Sequence, residues 1–78
     1  MASVVLEDSD AIADLSRLGE AFTVVAIGAA AVLQHAPLAS ITPVTLLTLV
    51  EDVPQTYAGP LAFCKVTGDG SVWITAAK

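Results

Sequence analysis

"AFTVVAIGAAAVLQ", Ala21–Gln34, lies inside a run that continues to Val50 without an Asp, Glu, Lys or Arg residue. The two halves of this stretch prefer different structures. Before Gly28, FTVVAI is rich in β-branched residues that favour a strand, whereas AAAVLQ after it is a strong helix former. We therefore predict for residues 21–35 a strand that turns at Gly28 into a short helix ending before Pro37. The topology of the chain depends on this choice.

Two other structures are open to the same run. The first is one continuous helix from about Asp10 to His35, formed if tertiary burial overrides the local preference for a strand. The second is a membrane span over residues 21–41, as a single-span accessory subunit would have. A spanning helix needs about 20 consecutive apolar residues. Four residues interrupt this candidate, so we favour the non-membrane interpretation: Gln34, His35, Pro37 and Ser40.

The N-terminal part predicts a strand and then an amphipathic helix. SVVLE, residues 3–7, is a short apolar run with β-branched residues. In DSDAIADLSRLG, residues 8–19, the first acidic residues can cap a helix and Gly19 can end it. Four apolar residues recur at steps of four, three and four, the spacing of one helix face: Ala11, Leu15, Leu18 and Phe22.

The part after Gln34 predicts strands. Pro37 and Pro43 oppose a helix, so the segment between them is expected to be extended or turning. VTLLTLV, residues 44–50, has apolar residues on both faces, which is typical of a central strand covered twice. The charged residues Glu51 and Asp52 would end it.

A C-terminal β-hairpin is predicted from residues 61–67 and 71–76, joined by a loop around GDG. If Thr67 pairs with Ser71, Lys65 lies opposite Trp73, within reach of a cation–π contact. One face of the hairpin would then cover the core. The other face is our predicted interface, because aromatic residues are enriched in interface anchors: Leu61, Phe63, Lys65 and Trp73.

Together these elements predict a small α+β fold with one domain over residues 1–78. Hydrophobic residues make up 55% of the chain, and charged residues make up 14% where about 25% is usual. A chain of this length has too little interior to bury that apolar surface, and with Cys64 as its single cysteine it has no intrachain disulfide. Association with protein, most simply as a homo-oligomer, would cover the surplus.

Charge argues against two classes of partner. The formal net charge is −5, with three basic residues, so the clustered Lys and Arg that nucleic-acid binding requires are missing. The same acidity opposes binding to an anionic membrane surface. The acidic N-terminal sequence does not resemble a signal peptide, so we expect a cytoplasmic location or one within an assembled particle.

The candidate chemical sites are weak. Asp8, Asp10 and Asp14 match positions one, three and seven of an EF-hand loop, but Gly19 stands at position twelve, where its bidentate Glu belongs. Adjacent carboxylates at Glu51 and Asp52 would point to opposite faces of an extended chain. We therefore expect no metal and no cofactor.

His35 and Cys64 are a base and a nucleophile in type. No local motif supplies an orienting group or an oxyanion donor for them, so we expect a small buried thiol and a structural histidine. No catalytic residue is predicted.

The function that these features predict is structural: a non-enzymatic subunit that self-associates or docks on a larger particle. A virion decoration or tail component, or another shell-like assembly, fits a compact chain poor in charge and rich in Ala, Val and Thr. The membrane accessory subunit is one alternative to this structural function. The other is a small ligand-binding or regulatory module, with a pocket near His35 and Tyr57.

Overall fold

The computed structural model describes residues 3–76, and in this part the chain is entirely β. The predicted α+β class is therefore wrong. The eight strands are β1 Ser3–Leu6, β2 Ala13–Asp14, β3 Ala21–Ile27, β4 Ala31–Ala36, β5 Val44–Leu49, β6 Gln55–Ala58, β7 Phe63–Gly68 and β8 Ser71–Ala76.

The strands form two four-stranded antiparallel sheets. The first sheet has the order β1-β8-β3-β6, and the second has the order β2-β7-β4-β5. Each strand of one sheet has its chain neighbour at the same position of the other sheet: β1 with β2, β8 with β7, β3 with β4, and β6 with β5. The chain is thus four β-arches placed side by side, each arch contributing one strand to each layer of a sandwich.

The core lies between the layers and is formed by alternate residues of both. Along β3, for example, Phe22, Val24 and Ala26 are buried while their neighbours are more exposed. The buried cluster includes side chains from both sheets: Leu6, Leu15, Phe22, Val24, Ala26, Ala31, Leu33, Leu49, Leu61, Cys64, Val66, Val72, Ile74 and Ala76. No charged or polar side chain among the described residues is buried. The interior is an apolar layer without internal charge.

The four arch loops lie at one end of the sandwich, which we call the arch end: residues 7–12, 28–30, 50–54 and 69–70. Glycines let the two central loops stack. Gly28 and Gly68 have positive φ, at 86° and 112°. A Cβ at Gly70 would overlap the backbone carbonyl of Ala29, and the Gly70 N–H donates to the Ala30 carbonyl over 3.3 Å. The close packing of the two loops therefore requires glycine at position 70.

The predicted amphipathic helix over residues 8–19 is wrong. This segment is a turn followed by the two-residue strand β2. Asp10 accepts a hydrogen bond from the Glu7 N–H through its carboxylate, and the Asp10 N–H donates to the Glu7 carbonyl. The acidic residue that resembled part of a helix start closes a turn instead, because Asp and Asn stabilise turns by the same side-chain-to-backbone bonds.

For residues 21–35 the predicted strand is confirmed and the predicted helix is wrong. β3 matches the first half, but the second half is β4, with β7 on one side and β5 on the other. Helix propensity within AAAVLQ amounts to a few tenths of a kcal/mol per residue, and two flanking strands override it. Neither the alternative helix from about Asp10 to His35 nor a helix over residues 21–41 is present, because β3 and β4 pair as strands within both ranges.

The predicted strand over residues 44–50 exists as β5, but it is an edge strand and is not central. Its Val44 side chain is 68% exposed. The pairing with β4 shifts register between Leu33 and Gln34, which leaves Leu46 as the extra residue of a bulge. Apolar residues on both faces of this strand therefore reflect partial exposure and not double coverage.

The C-terminal hairpin is also wrong, although both of its strands are nearly correct in extent. β7 pairs with β2 and β4, while β8 pairs with β1 and β3, so the two strands lie in different sheets. Lys65 is therefore not opposite Trp73. The partners of Trp73 are Val5 and Val25.

Candidate interaction surface

The four residues of the predicted interface do not form one surface. Leu61 is buried in the core. Phe63 and Lys65 lie on the outer side of the second sheet, since Cys64 and Val66 between them point inward. Trp73 lies on the outer side of the first sheet. The sandwich separates Trp73 from the other three.

Lys65 has a structural role that the sequence pattern did not indicate. Its ammonium group donates to the backbone carbonyls of Asp8 and Asp10, over 3.0 and 2.8 Å. The side chain thus ties the loop between β1 and β2 to the second sheet. The ammonium group of Lys65 therefore has hydrogen-bond partners within the chain.

Trp73 is the centre of an apolar row on the outside of the first sheet. Val5 on β1 and Val25 on β3 are its direct cross-strand partners. Val5 is 53% exposed and Trp73 is 38% exposed, and Ile27 at the end of β3 is 47% exposed. The outer surface of β1, β8, β3 and β6, here called the Trp73 face, thus presents a contiguous apolar centre to its surroundings.

Hydroxyl residues border this apolar centre. Ser3, Thr75, Thr23 and Thr56 are in register across all four strands. The Thr75 Oγ1 is shielded and has no hydrogen-bond partner within the described residues. At the arch end, the Ser71 hydroxyl donates to the Glu7 carboxylate over 3.1 Å.

Charge is almost absent from the Trp73 face. Within residues 3–76, the side chains that point outward from its four strands are those of Ser, Thr, Ala, Val, Ile and Trp, and Glu7 at its corner is the nearest acid in the strand register. Six of the eight acidic residues lie instead in the arch loops: Glu7, Asp8, Asp10, Glu51, Asp52 and Asp69. The arch end is therefore strongly acidic, and the Trp73 face beside it is neutral and apolar.

The arch end also carries an open depression of about 390 Å³ between the loop that joins β1 to β2 and the loop that joins β7 to β8. Glu7, Asp8 and Asp69 line it together with serine and glycine residues. No group of three or more His, Cys, Asp or Glu residues in the described chain is arranged to hold a metal ion.

The third acid of the EF-hand-like pattern has a local role as well. Asp14 accepts a hydrogen bond from the Ser16 N–H over 2.9 Å. This bond, with a further one from the Ser16 side chain, lowers the pKa of Asp14. Asp10 and Asp14 therefore stabilise turns. Glu51 and Asp52 lie in the loop after β5, where the Asp52 N–H donates to the Ala26 carbonyl over 2.8 Å.

His35 and Cys64 are brought together, as directly paired residues of β4 and β7. Their chemistry is not that of an activated pair. The His35 Nε2 accepts a hydrogen bond from the Ala62 N–H over 3.1 Å, which occupies the lone pair that a base would use. Cys64 is fully buried, and burial raises the pKa of its thiol to about 11. A protonated thiol is a poor nucleophile, and we assign both residues to structure.

The ligand pocket near His35 and Tyr57 stays a prediction. Tyr57 packs against the apolar core, opposite Phe22. The depression described above lies at the arch end and is lined by neither residue. The geometry thus gives the ligand-binding alternative no support at its proposed position.

The residues that the sequence reasoning missed are Val5, Val25 and Ile27. Each alternates with buried residues along its strand, for example Val25 between Val24 and Ala26. The period-two pattern that identified these strands also contained the outer residues, but it does not state which outer faces remain uncovered. That Val5 and Val25 flank Trp73 can be predicted only when the order of the strands in the sheet is known.

The comparisons with known proteins add no relative. No family model, curated protein or solved structure matches the chain. Within residues 3–76, no helix has the length and apolar character needed to cross a membrane.

Proposed function

We propose that this protein is a non-enzymatic assembly subunit that works by burying the Trp73 face against protein, in a homo-oligomer or on a larger particle. The observation that carries the proposal is the contiguous row of Val5, Trp73 and Val25, of which Val5 and Trp73 are exposed and Val25 is half-buried, on a surface without charged strand residues. Large exposed apolar patches on small proteins are typical of interaction sites. A central Trp surrounded by small apolar residues has the composition of an interface hot spot.

The absence of activated groups in the described chain supports a structural function over a catalytic one. Cys64 is buried and protonated, and His35 has its acceptor nitrogen occupied by Ala62. A buried free thiol also suits the cytoplasm or an assembled particle formed there. A virion decoration or tail component, or another shell-like assembly, is the kind of particle that this composition fits.

The test is the size of the protein in the cells that make it. The lysate is separated by gel filtration, and the chain is detected with an antibody. An assembly subunit is expected to elute clearly above the 7.9 kDa of one chain, at twice that mass or more. A chain carrying Val5→Lys should elute later, whereas one carrying Val44→Lys, a similarly exposed valine on the second sheet, should not. Elution of the unmodified chain as a free 7.9 kDa protein would contradict the proposal.

A further inference from the structure

The Trp73 face has properties that select one occupant, and we propose that it is a second copy of this chain, packed face to face about a two-fold axis near Trp73. This inference rests on the proposed function and names the partner. The apolar row spans β1, β8 and β3, with Trp73 in its centre. In an isologous pair the same patch must complement itself. An uncharged apolar row meets that requirement, because each of its residues can lie against its own copy: Val5 on Val5, Trp73 on Trp73 and Val25 on Val25.

Charge favours a second copy at this face over any other face. The chain carries a net charge of −5, so two copies repel each other wherever their acidic residues meet. The outward strand residues of the Trp73 face that the structure describes are uncharged. The second sheet instead presents the exposed Asp14 carboxylate, on the cross-strand partner of Phe63, so two copies packed there would bring like charges together. Self-association without a charge penalty is therefore available on the Trp73 face.

Charge also determines the relative direction of the two copies. The arch end holds six carboxylates, and a parallel arrangement would place both arch ends together. An axis perpendicular to the strands puts the two arch ends at opposite ends of the pair. We therefore infer that β8 of one copy lies antiparallel over β8 of its partner, as in two sheets packed about 10 Å apart.

The size of the molecule places this pair at the lower end of the usual interface sizes. Its extents are 28 × 26 × 16 Å, so a broad side covers at most about 700 Å², against the roughly 800 Å² that each partner buries in a standard interface. The hydroxyl row of Ser3, Thr23, Thr56 and Thr75 would lie at the border of the buried centre. A polar border around an apolar centre is the usual composition of such an interface.

The experiment measures the native mass of the purified chain by light scattering after gel filtration. The unmodified chain is expected at twice 7.9 kDa. Val5→Lys and Ile27→Lys introduce charge on the Trp73 face at positions that are 53% and 47% exposed, so both variants should fold. They are expected to be monomers, with the circular dichroism spectrum of the unmodified chain as the check of folding.

Val44→Lys and Leu38→Lys are the matched controls. Each adds the same charge at a site that is at least as exposed, in β5 or in the loop before it. Both controls should keep the doubled mass. A dimer that Val44→Lys dissociates and Val5→Lys does not would overturn the inference, because another surface would then hold the partner. A monomeric unmodified chain would also overturn it, and assembly in the lysate would then show that the proposed function survives with a different partner.

Discussion

Gly70 is a residue whose side chain is excluded by a neighbouring backbone. Its missing Cβ leaves room for the Ala29 carbonyl, and this contact holds two arch loops together. Gly28 differs in that its φ is positive, at 86°, while the space around it is open. Position 70 therefore requires glycine because there is no room for a Cβ, and position 28 favours glycine because of its backbone conformation.

Gly70→Ala should lower the free energy of unfolding by about 3 kcal/mol, the range expected when a side chain is forced into packed structure. Gly28→Ala should lower it by about 1 kcal/mol, the cost of left-handed backbone for a residue with a Cβ. Chemical denaturation of both variants measures the difference. An equal loss in both would contradict the role of close loop packing.

Thr75 carries a shielded hydroxyl without a hydrogen-bond partner in the described chain. Thr75→Val replaces this hydroxyl by a methyl group of similar size, and should raise the free energy of unfolding by about 1 kcal/mol because a desolvated polar group is removed. Thr48→Val, at an exposed position of β5, is the control and should change it little. A loss of stability in Thr75→Val would mean that the hydroxyl is hydrogen-bonded.

The buried thiol of Cys64 makes the free energy of unfolding depend on pH in the alkaline range. Burial raises the pKa of its thiol to about 11 from an ordinary value of 9.0. Above pH 9 the unfolded chain loses the proton while the folded chain keeps it, so the free energy of unfolding falls as the pH rises from 9 towards 11. The fall should be smaller in Cys64→Ala. In the native state the thiol should react slowly with a disulfide reagent, and an immediate reaction at neutral pH would contradict its burial.

At the scale of the elements, the loop between β1 and β2 is stabilised by one side chain from β7 of the second sheet. Lys65 donates to the carbonyls of Asp8 and Asp10 within that loop. Lys65→Met keeps the aliphatic chain and removes both bonds. Hydrogen exchange of the Asp10 amide, which donates to the Glu7 carbonyl, should become faster, whereas the amides of β3 should be unaffected. Unchanged exchange at Asp10 would show that the turn is stable by itself.

The extents of most strands could be predicted from the sequence, because alternating burial has a period of two in any sheet. β3, β7 and β8 follow this pattern closely enough to be located, whereas β5 was located from its apolar residues on both faces. Their pairing could not be predicted, since the inward residues of two consecutive strands point to the core in a hairpin and in an arch alike. Val66 and Val72, for example, are both buried although their strands lie in different sheets.

The errors have a related cause at positions 8–19 and 29–35. The first segment combines Asp residues with apolar spacing, and both features serve turns and short strands as well as helices. The second is rich in alanine, whose helix preference is small against two flanking strands. Of the candidate site, Trp73 could be predicted as an anchor from its residue type. Its valine neighbours could not, because they depend on β1 and β3 both flanking β8.

At the scale of the whole molecule, the sandwich has three regions of different chemical character. The core is apolar and closed, the arch end is acidic, and the Trp73 face is apolar and exposed. A chain with 55% hydrophobic residues cannot bury all of them at this size. The proposed assembly accounts for part of the surplus, since a second chain would cover Val5, Ile27 and Trp73, which are among the exposed large apolar residues.

Trp73 is the single tryptophan of the chain, so its fluorescence reports on this face alone. The most direct test is acrylamide quenching of that fluorescence over a range of protein concentrations in which the native mass changes from one chain to two. The account predicts strong quenching in dilute samples, where Trp73 is 38% exposed, and a marked decrease as pairs form and cover it. Quenching that stays equally strong while the mass doubles would show that the Trp73 face is not the contact, and would contradict the account.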